Sequence, residues 1–372
     1  MNEKYTINKT IFEHHNLVGT HYEIGKKQGE IIKKYDHMTK FYTSGKFDAK
    51  KSLFSNFEDV YDFFDEHCPG FSDETQGFAE VLGVDLERIC IYDFPTSIQN
   101  NCSQMVALPP FTENGHTFAG RSYEWNHLEE DLQLRTTKAK GKYKHLGFAG
   151  MIFGRFEGLN EEGLCVTASS GGAWGAPRKN KGVNWALAVR VLLDNCKNVS
   201  EALDRLESIP IEGTNNFILT DNKGNAAYLE SLDSIFNKRK FDNDSDKKYI
   251  ISTNHYNLEE NEENNKYNNP WLLPNSKQRY KIIETAFKNN SPKLTKNNFR
   301  DILSKEFPDG LTCHWYTDNF GTLWSVIFDV MEKEIEVCFG PPTHNDWYLF
   351  SLDDETKKHK YEVTFPDKRI AF

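Results

Sequence analysis

Cys102, Arg121 and Glu124 are the residues of this chain whose types and spacing best suit chemistry. Cys102 opens an alternating run over 102–109, with Met105 and Ala107 apolar, and a second run over 117–123 leads to Glu124. Between the runs stands Glu113-Asn114-Gly115, and Asn-Gly is a hairpin signal because both central residues of the tight turn tolerate positive φ. A turn pivoting on Asn114-Gly115 brings residues near Glu124 back opposite residues near Cys102, while Pro109 and Pro110 interrupt the ladder and leave the register loose. A thiol beside Arg121, with Glu124 available to hold the arginine, sits in an electropositive setting that favours thiolate. The ordinary role of one cysteine among seven is that of a small buried hydrophobe. A Cys–His protease needs a nearby imidazole. The best rival pair, Cys313-His314, is poorly placed, because adjacent strand residues point to opposite faces.

The elements that must position these residues follow from periodicity. Before Cys102 the chain reads as helical. A short strand-like start over 17–29 turns into a helix with Ile24, Ile31 and Ile32 on one face, followed by helices over 55–67, 72–82 and 86–91. After Cys102 the texture is that of strands, over 102–109, 117–123, 146–153 and 164–169, the last following the Asn160-Glu161-Glu162-Gly163 turn. That turn reads as scaffold, and Trp174 and Trp185 as core. Helices are expected over 185–193 and 200–206, and hairpins over 216–230 and 322–339. The polar stretches 237–248 and 258–269 read as solvated loops around the run 249–255, and 276–288 as a helix. Helices at both margins and in the middle, with hairpins between them, suggest antiparallel sheets sandwiched by helices.

Composition narrows the class. The formal charge of -10 argues against a nucleic-acid or anionic-membrane partner, and 38% hydrophobic residues suffice for a large core. No apolar run approaches the roughly 20 residues of a membrane span, and the N-terminus lacks the apolar core of a signal peptide. The seven cysteines are scattered with no C-x-x-C pair, and the twelve histidines show no metal-ligand spacing. The expectation is a cytoplasmic protein without metal.

Several motifs, taken in order, carry a resemblance. They are Gly19-Thr20-His21-Tyr22-Glu23-Ile24-Gly25 with Gln28-Gly29, then Gln76 to Val84, Cys102-Ser103, and Gly120-Arg121-Ser122-Tyr123-Glu124-Trp125. Gly158 to Leu164, Thr253-Asn254-His255, and Ser276 with Arg279 follow. The chain resembles the acyl-coenzyme A:6-aminopenicillanate acyltransferase family, within the N-terminal nucleophile (Ntn) hydrolases and related to choloylglycine (bile salt) hydrolases. The resemblance runs nearly end to end. It implies an α+β fold, a four-layer αββα sandwich of two antiparallel sheets between helices with an N-terminal helical segment. The implied division is a helical pro-segment or α fragment, 1–101, and a catalytic core or β fragment, 102–372, together one compact unit. Three positions depart from the family pattern. Glu124 stands where Asp is usual, Ser170 where bile salt hydrolases have an oxyanion-hole Asn, and Asn101 where Gly commonly precedes the nucleophile.

The resemblance also implies a mechanism. Cleavage of Asn101-Cys102 frees an α-amine of pKa about 8, able to serve as base for the thiol of the same residue, so no partner His is required. Asn254 Nδ2 with a backbone N–H would hold the oxyanion, worth roughly 3–4 kcal/mol per donor. Arg121 would steady the thiolate or α-amine region, and Glu124 would orient it. Ser170, Ser276 and Arg279 are supporting or substrate-side residues, Arg279 bridging local structure or a substrate carboxylate. The partner is a small-molecule amide or acyl substrate, with no cofactor, and a homo-oligomer is left open. Three readings follow: hydrolysis of a linear amide such as an N-acyl amino acid, acyl transfer from a thioester to an amine, and an unprocessed binding protein of the same fold.

Overall fold

The computed structural model describes residues 6–45, 47–48, 54–89, 101–177, 182–233, 235–242, 245–290, 293–353 and 358–368. Strand β1 (Thr6–Gly19) runs into helix α1 (His21–Ile32). Thr20 separates them: its side chain accepts from Glu23 N, and the Glu23 carboxylate accepts from Thr20 N at 2.7 Å, a reciprocal cap. Helix α2 (Asp36–Thr43), which the periodicity does not predict, follows, and then α3 (Phe57–His67) and α4 (Phe71–Leu82), close to the predicted spans. The helix expected over 86–91 is a single 3-10 turn, Leu86–Arg88, and positions 90 and 91 lie outside the described residues. Helices α1 and α4 approach closely because each offers a glycine. A Cβ on Gly25 would stand 1.8 Å from Glu74 O, and one on Gly77 would stand 2.2 Å from Tyr22 O.

From Asn101 the chain is mostly strands: β2 (Asn101–Ala107), β3 (Phe118–Trp125), β4 (Gln133–Ala139), β5 (His145–Gly150), β6 (Gly154–Arg155), β7 (Glu157–Asn160) and β8 (Leu164–Ser170). After α5 (Trp185–Asn195) and α6 (Val199–Ser208) come β9 (Thr214–Asp221), β10 (Ala226–Leu232), β11 (Ile235–Phe241) and β12 (Tyr249–Ser252). Then follow α7 (Leu272–Asn290), α8 (Lys296–Ser304), β13 (His314–Trp315), β14 (Phe320–Asp329), β15 (Glu334–Phe339), β16 (Trp347–Ser351) and β17 (Lys360–Asp367).

One sheet has the order β11-β10-β9-β8-β7-β5-β4-β1-β17, with β6 beside β5. The other has the order β12-β2-β3-β14-β15-β16, with β13 beside β14. Helices α5 and α6 cover the first sheet, α7 and α8 cover the second, and β2 meets β8 across the interior. The architecture is therefore the expected four-layer αββα sandwich. Between the sheets Trp324 stacks on Tyr123 and Phe148 at centroid distances of 4.3 and 4.2 Å. Among the described residues no helix is long and apolar enough to cross a membrane.

Some local expectations are corrected. The first hundred residues are not only helical, because β1 lies within the first sheet, antiparallel to β17 and parallel to β4. Its polar residues Lys9, Glu13, His14 and His15 conceal the strand in the sequence, yet Phe12 is fully buried and packs edge-on against Phe148 and Trp324. Part of the presumed loop 237–248 is the edge strand β11, whose Lys238, Arg239 and Lys240 give an edge the charge that discourages further pairing. Most of 258–269 is 3-10 helix, Glu259–Tyr267.

A buried charge network also joins the N-terminal segment to the core. Glu74 of α4 meets Arg190 of α5 at 3.4 Å and His21 of α1 at 3.0 Å, and Arg190 Nε holds Asp194 at 2.7 Å.

Candidate active site

The hairpin forms as expected. Strands β2 and β3 pair with Asn101 opposite Glu124, Cys102 opposite Tyr123, and Gln104 opposite Arg121. Alternation along a strand then divides the candidates. Cys102, Gln104, Arg121 and Tyr123 share the face turned toward the first sheet. Asn101, Ser103, Ser122 and Glu124 share the face turned toward α7.

On the inner face Cys102 is fully buried, and its Sγ accepts from Arg121 Nη2 at 3.2 Å. Arg121 Nη1 lies 2.6 Å from Glu157 Oε2, and Nε donates to Ala168 O at 3.2 Å, both in the opposing sheet. Its guanidinium also lies 5.2 Å from the Tyr123 ring centroid and 5.7 Å from that of Phe156. Trp324 Nε1 donates to Glu157 Oε1 at 3.1 Å, so the carboxylate is fixed from behind. Burial pushes the Cys102 thiol up to about 12 against the pull of Arg121, and it pushes Glu157 up to about 6. In the uncut chain the thiol therefore keeps its proton at neutral pH.

The outer face is organised by α7. Arg279 Nη1 donates to Cys102 O at 2.5 Å and Ser103 Oγ at 3.0 Å, and Nη2 donates to Asn254 Oδ1 at 2.8 Å. Asn254 Oδ1 also accepts from Cys102 N at 2.8 Å, while Asn254 Nδ2 donates to Ser170 O at 3.1 Å. One helical turn before Arg279, Ser276 Oγ meets Thr253 Oγ1 at 2.9 Å and His255 Nδ1 at 2.8 Å, which docks α7 on the segment carrying Asn254. Glu124 is fully buried. Burial raises its carboxyl to about 7, and the nearby Arg279 charge is the main opposing influence.

The structure thus gathers Asn101, Cys102, Arg121, Glu124, Ser170, Asn254, Ser276 and Arg279 in one region, with some pairings altered. Glu124 does not hold Arg121. Their separation of three along β3 puts them on opposite faces, and Glu157 holds the arginine instead. Arg279 lies at the centre rather than the margin, and Ser170 contributes its carbonyl, its hydroxyl accepting from Trp174 Nε1 at 2.5 Å. The Cys313-His314 pair separates as expected: Cys313 Sγ turns to Leu311 O at 3.5 Å, and His314 Nε2 lies 3.1 Å from Thr343 Oγ1.

The residue missed from the sequence is Glu157. It stands next to Phe156 before the Gly158-Leu159 run, and an acid in a buried strand needs a partner. The turn that follows is scaffold. Asn160 Nδ2 donates to Leu193 O and Cys196 O, and its Oδ1 accepts from Glu162 N and Leu164 N.

With this geometry in view, the profile of the family described as acyl-coenzyme A:6-aminopenicillanic acid acyl-transferase matches residues 92–344, more than half of the chain. The chain belongs to this family. Membership in this acyl-transferase family goes with a sandwich of two sheets between helices. Similar solved structures include penicillin V acylase from Agrobacterium tumefaciens, at 18% identity over 67% of this chain and 86% of that chain, with a TM-score of 0.45. A mutant of conjugated bile acid hydrolase from Clostridium perfringens matches at 11% identity over 69% and 96%, with a TM-score of 0.45. The Caenorhabditis elegans ortholog of N-acylethanolamine-hydrolyzing acid amidase matches at 14% identity over 62% and 93%, with a TM-score of 0.41. Comparison with curated proteins gives no match.

Proposed function

We propose that the protein is a self-processing cysteine Ntn hydrolase that cleaves a linear amide through an acyl-thioester on Cys102. The observation that carries this reading is the hold on both ends of one residue. Cys102 Sγ accepts from Arg121 at 3.2 Å, while Cys102 N–H donates to Asn254 at 2.8 Å.

In the processing step Sγ attacks the Asn101 carbonyl, the thiol proton passes to the departing Cys102 nitrogen, and a thioester forms. Water then cleaves the thioester, leaving a carboxylate on Asn101 and a free α-amine on Cys102. That amine takes the thiol proton in later turnovers, and its positive charge favours the thiolate that burial otherwise opposes. The thiolate attacks a substrate amide, the amine returns the proton to the leaving nitrogen, and water releases the acid. We assign Asn254 Nδ2 to the oxyanion, exchanging its bond to Ser170 O for one to substrate. Arg121 steadies the sulfur. Arg279 fixes the Cys102 carbonyl and the Asn254 side chain, and is a positioning residue.

Candidate substrates are N-acyl amino acids, acylated peptides and acylated secondary metabolites. Acyl transfer shares the first half-reaction and is favoured by the family's description as an acyl-transferase. It separates from hydrolysis by whether an added amine captures the acyl group faster than water does. We place the protein in the cytoplasm, a reading supported by its scattered free thiols. Intact mass tests the proposal. Two fragments split before Cys102 are expected, and Cys102→Ala should abolish both splitting and turnover; an uncleaved yet fully active protein overturns it.

A further inference from the structure

The residue before the nucleophile opens onto aromatic surface. Asn101 lines a cleft of about 380 Å³ walled by Trp125, Trp271, Trp315 and Phe320, with Asp318 at its edge. Trp271 is 85% exposed. The chemistry of processing identifies the side of the site this cleft serves. In the proposed processing step Asn101 is the first acyl group that the Cys102 sulfur carries, and the carbonyl carbon of a later acyl group would take the place of the Asn101 carbonyl carbon in that thioester. On that reading the cleft, which Asn101 lines, adjoins the acyl side of the scissile bond.

Its chemistry favours positive charge. Indole faces attract cations more strongly than other aromatic rings do, and a carboxylate at the edge adds to that attraction. Trp125 also lines a second cleft of about 340 Å³ beside Glu129, while the Glu130 and Asp131 carboxyls there already accept from Tyr123, and from Tyr42 and Ile152. Neither cleft has a Lys or Arg among its described lining residues. Arg279 lies 5.8 Å from the Phe320 ring centroid; its nitrogens donate to Cys102 O, Ser103 Oγ, Asn254 and Asn275, and the buried Glu124 carboxyl is the acid that faces its charge.

We propose that the Trp125–Trp271–Trp315 cleft binds an ammonium group carried on the acyl portion of the substrate. The proposal rests on the reading of Cys102 as nucleophile, and its test has one arm independent of that reading.

In the first arm the Cys102→Ala chain is titrated with choline and with its neutral isostere dimethylbutanol, followed by tryptophan fluorescence and calorimetry. Choline is expected to bind at least about fivefold more tightly, and Asp318→Asn or Trp271→Leu should each narrow that ratio. Equal affinities, or no choline binding, overturn the cleft assignment. Asp318→Asn, an exposed substitution, keeps the test decisive if Trp271→Leu fails to fold. In the second arm the processed enzyme is given the p-nitroanilides of trimethylammonio-butyrate and of the isosteric dimethylhexanoate. A kcat/KM at least about fivefold higher for the cation is expected, and parity or reversal overturns the proposal. Turnover of neither substrate, with choline still preferred in the first arm, counts against the nucleophile and leaves the cleft assignment standing.

Discussion

Arg121 and Glu124, three residues apart on β3, face opposite sides of their sheet and answer to different partners. Arg121 reaches across the interior to Glu157 at 2.6 Å, while Glu124 faces the charge of Arg279 on α7. Cys102 on β2 is thus held from both faces by separate arginines, Arg121 at its sulfur and Arg279 at its carbonyl oxygen. Removing Glu157 should leave Arg121 buried without its counter-charge. Glu157→Gln is expected to destabilise the chain by about 3–5 kcal/mol in urea unfolding. A variant as stable as the parent would show that the pair contributes nothing.

Asn254 joins three groups, accepting from Cys102 N and Arg279 and donating to Ser170 O. If its Nδ2 serves the oxyanion, Asn254→Ala should lower the rate of both processing and turnover by roughly 10²–10³. Intact-mass time courses and steady-state kinetics measure the two separately. A loss of processing with normal kcat in any protein that does mature would confine Asn254 to the cut.

Glu124 gives a pH signature in stability. Burial raises its folded carboxyl to about 7, above the usual 4.5, against the pull of Arg279. Below pH 4.5 both folded and unfolded forms hold the proton. Between 4.5 and 7 the unfolded form loses its proton first, so this residue's contribution to wild-type stability falls as pH rises, and above 7 the loss is complete. Glutamine does not titrate. The stability of Glu124→Gln relative to wild type should therefore climb across that window by on the order of 3 kcal/mol and level off above it. Thermal unfolding from pH 4 to 8 reads this difference, and a flat curve rules it out.

The two pieces that the proposed cut before Cys102 would produce should stay together. Strand β1 is hydrogen-bonded on both edges, α1 and α4 pack through Gly25 and Gly77, and Glu74 is paired with Arg190 of the core. Native size-exclusion chromatography is expected to give one peak that resolves into two chains only after denaturation. Two native peaks would contradict this.

Much of this architecture is legible in the sequence. The expected strands 102–109 and 117–123 do pair, closed by the connection 108–117 that contains Asn114-Gly115 rather than by a tight turn on it, and the hairpin 216–230 and helix α7 fall where periodicity predicts. What escaped the sequence reading did so for physical reasons. The same period-2 alternation that separates Cys313 from His314 also puts Arg121 and Glu124 on opposite faces and forbids their expected pairing. Glu157 is a long-range partner on another sheet, and no local pattern connects it to Arg121. Strand β1 carries so many polar residues that its buried Phe12 and Leu17 do not stand out.

The location of β1 has a practical consequence for anyone producing the enzyme. A chain begun directly at Cys102 would already bear the free amine, yet it would lack the strand that sits between β4 and β17. The first sheet would then open into a slot with two bare backbone edges, each able to recruit a strand from a neighbouring molecule. Expression of the pre-cut catalytic piece alone should therefore yield inclusion bodies, and co-expression with residues 1–101 should restore soluble material. On the proposed cut, residues 1–101 would be a built-in folding template that the mature protein cannot discard, because β1 lies between β4 and β17.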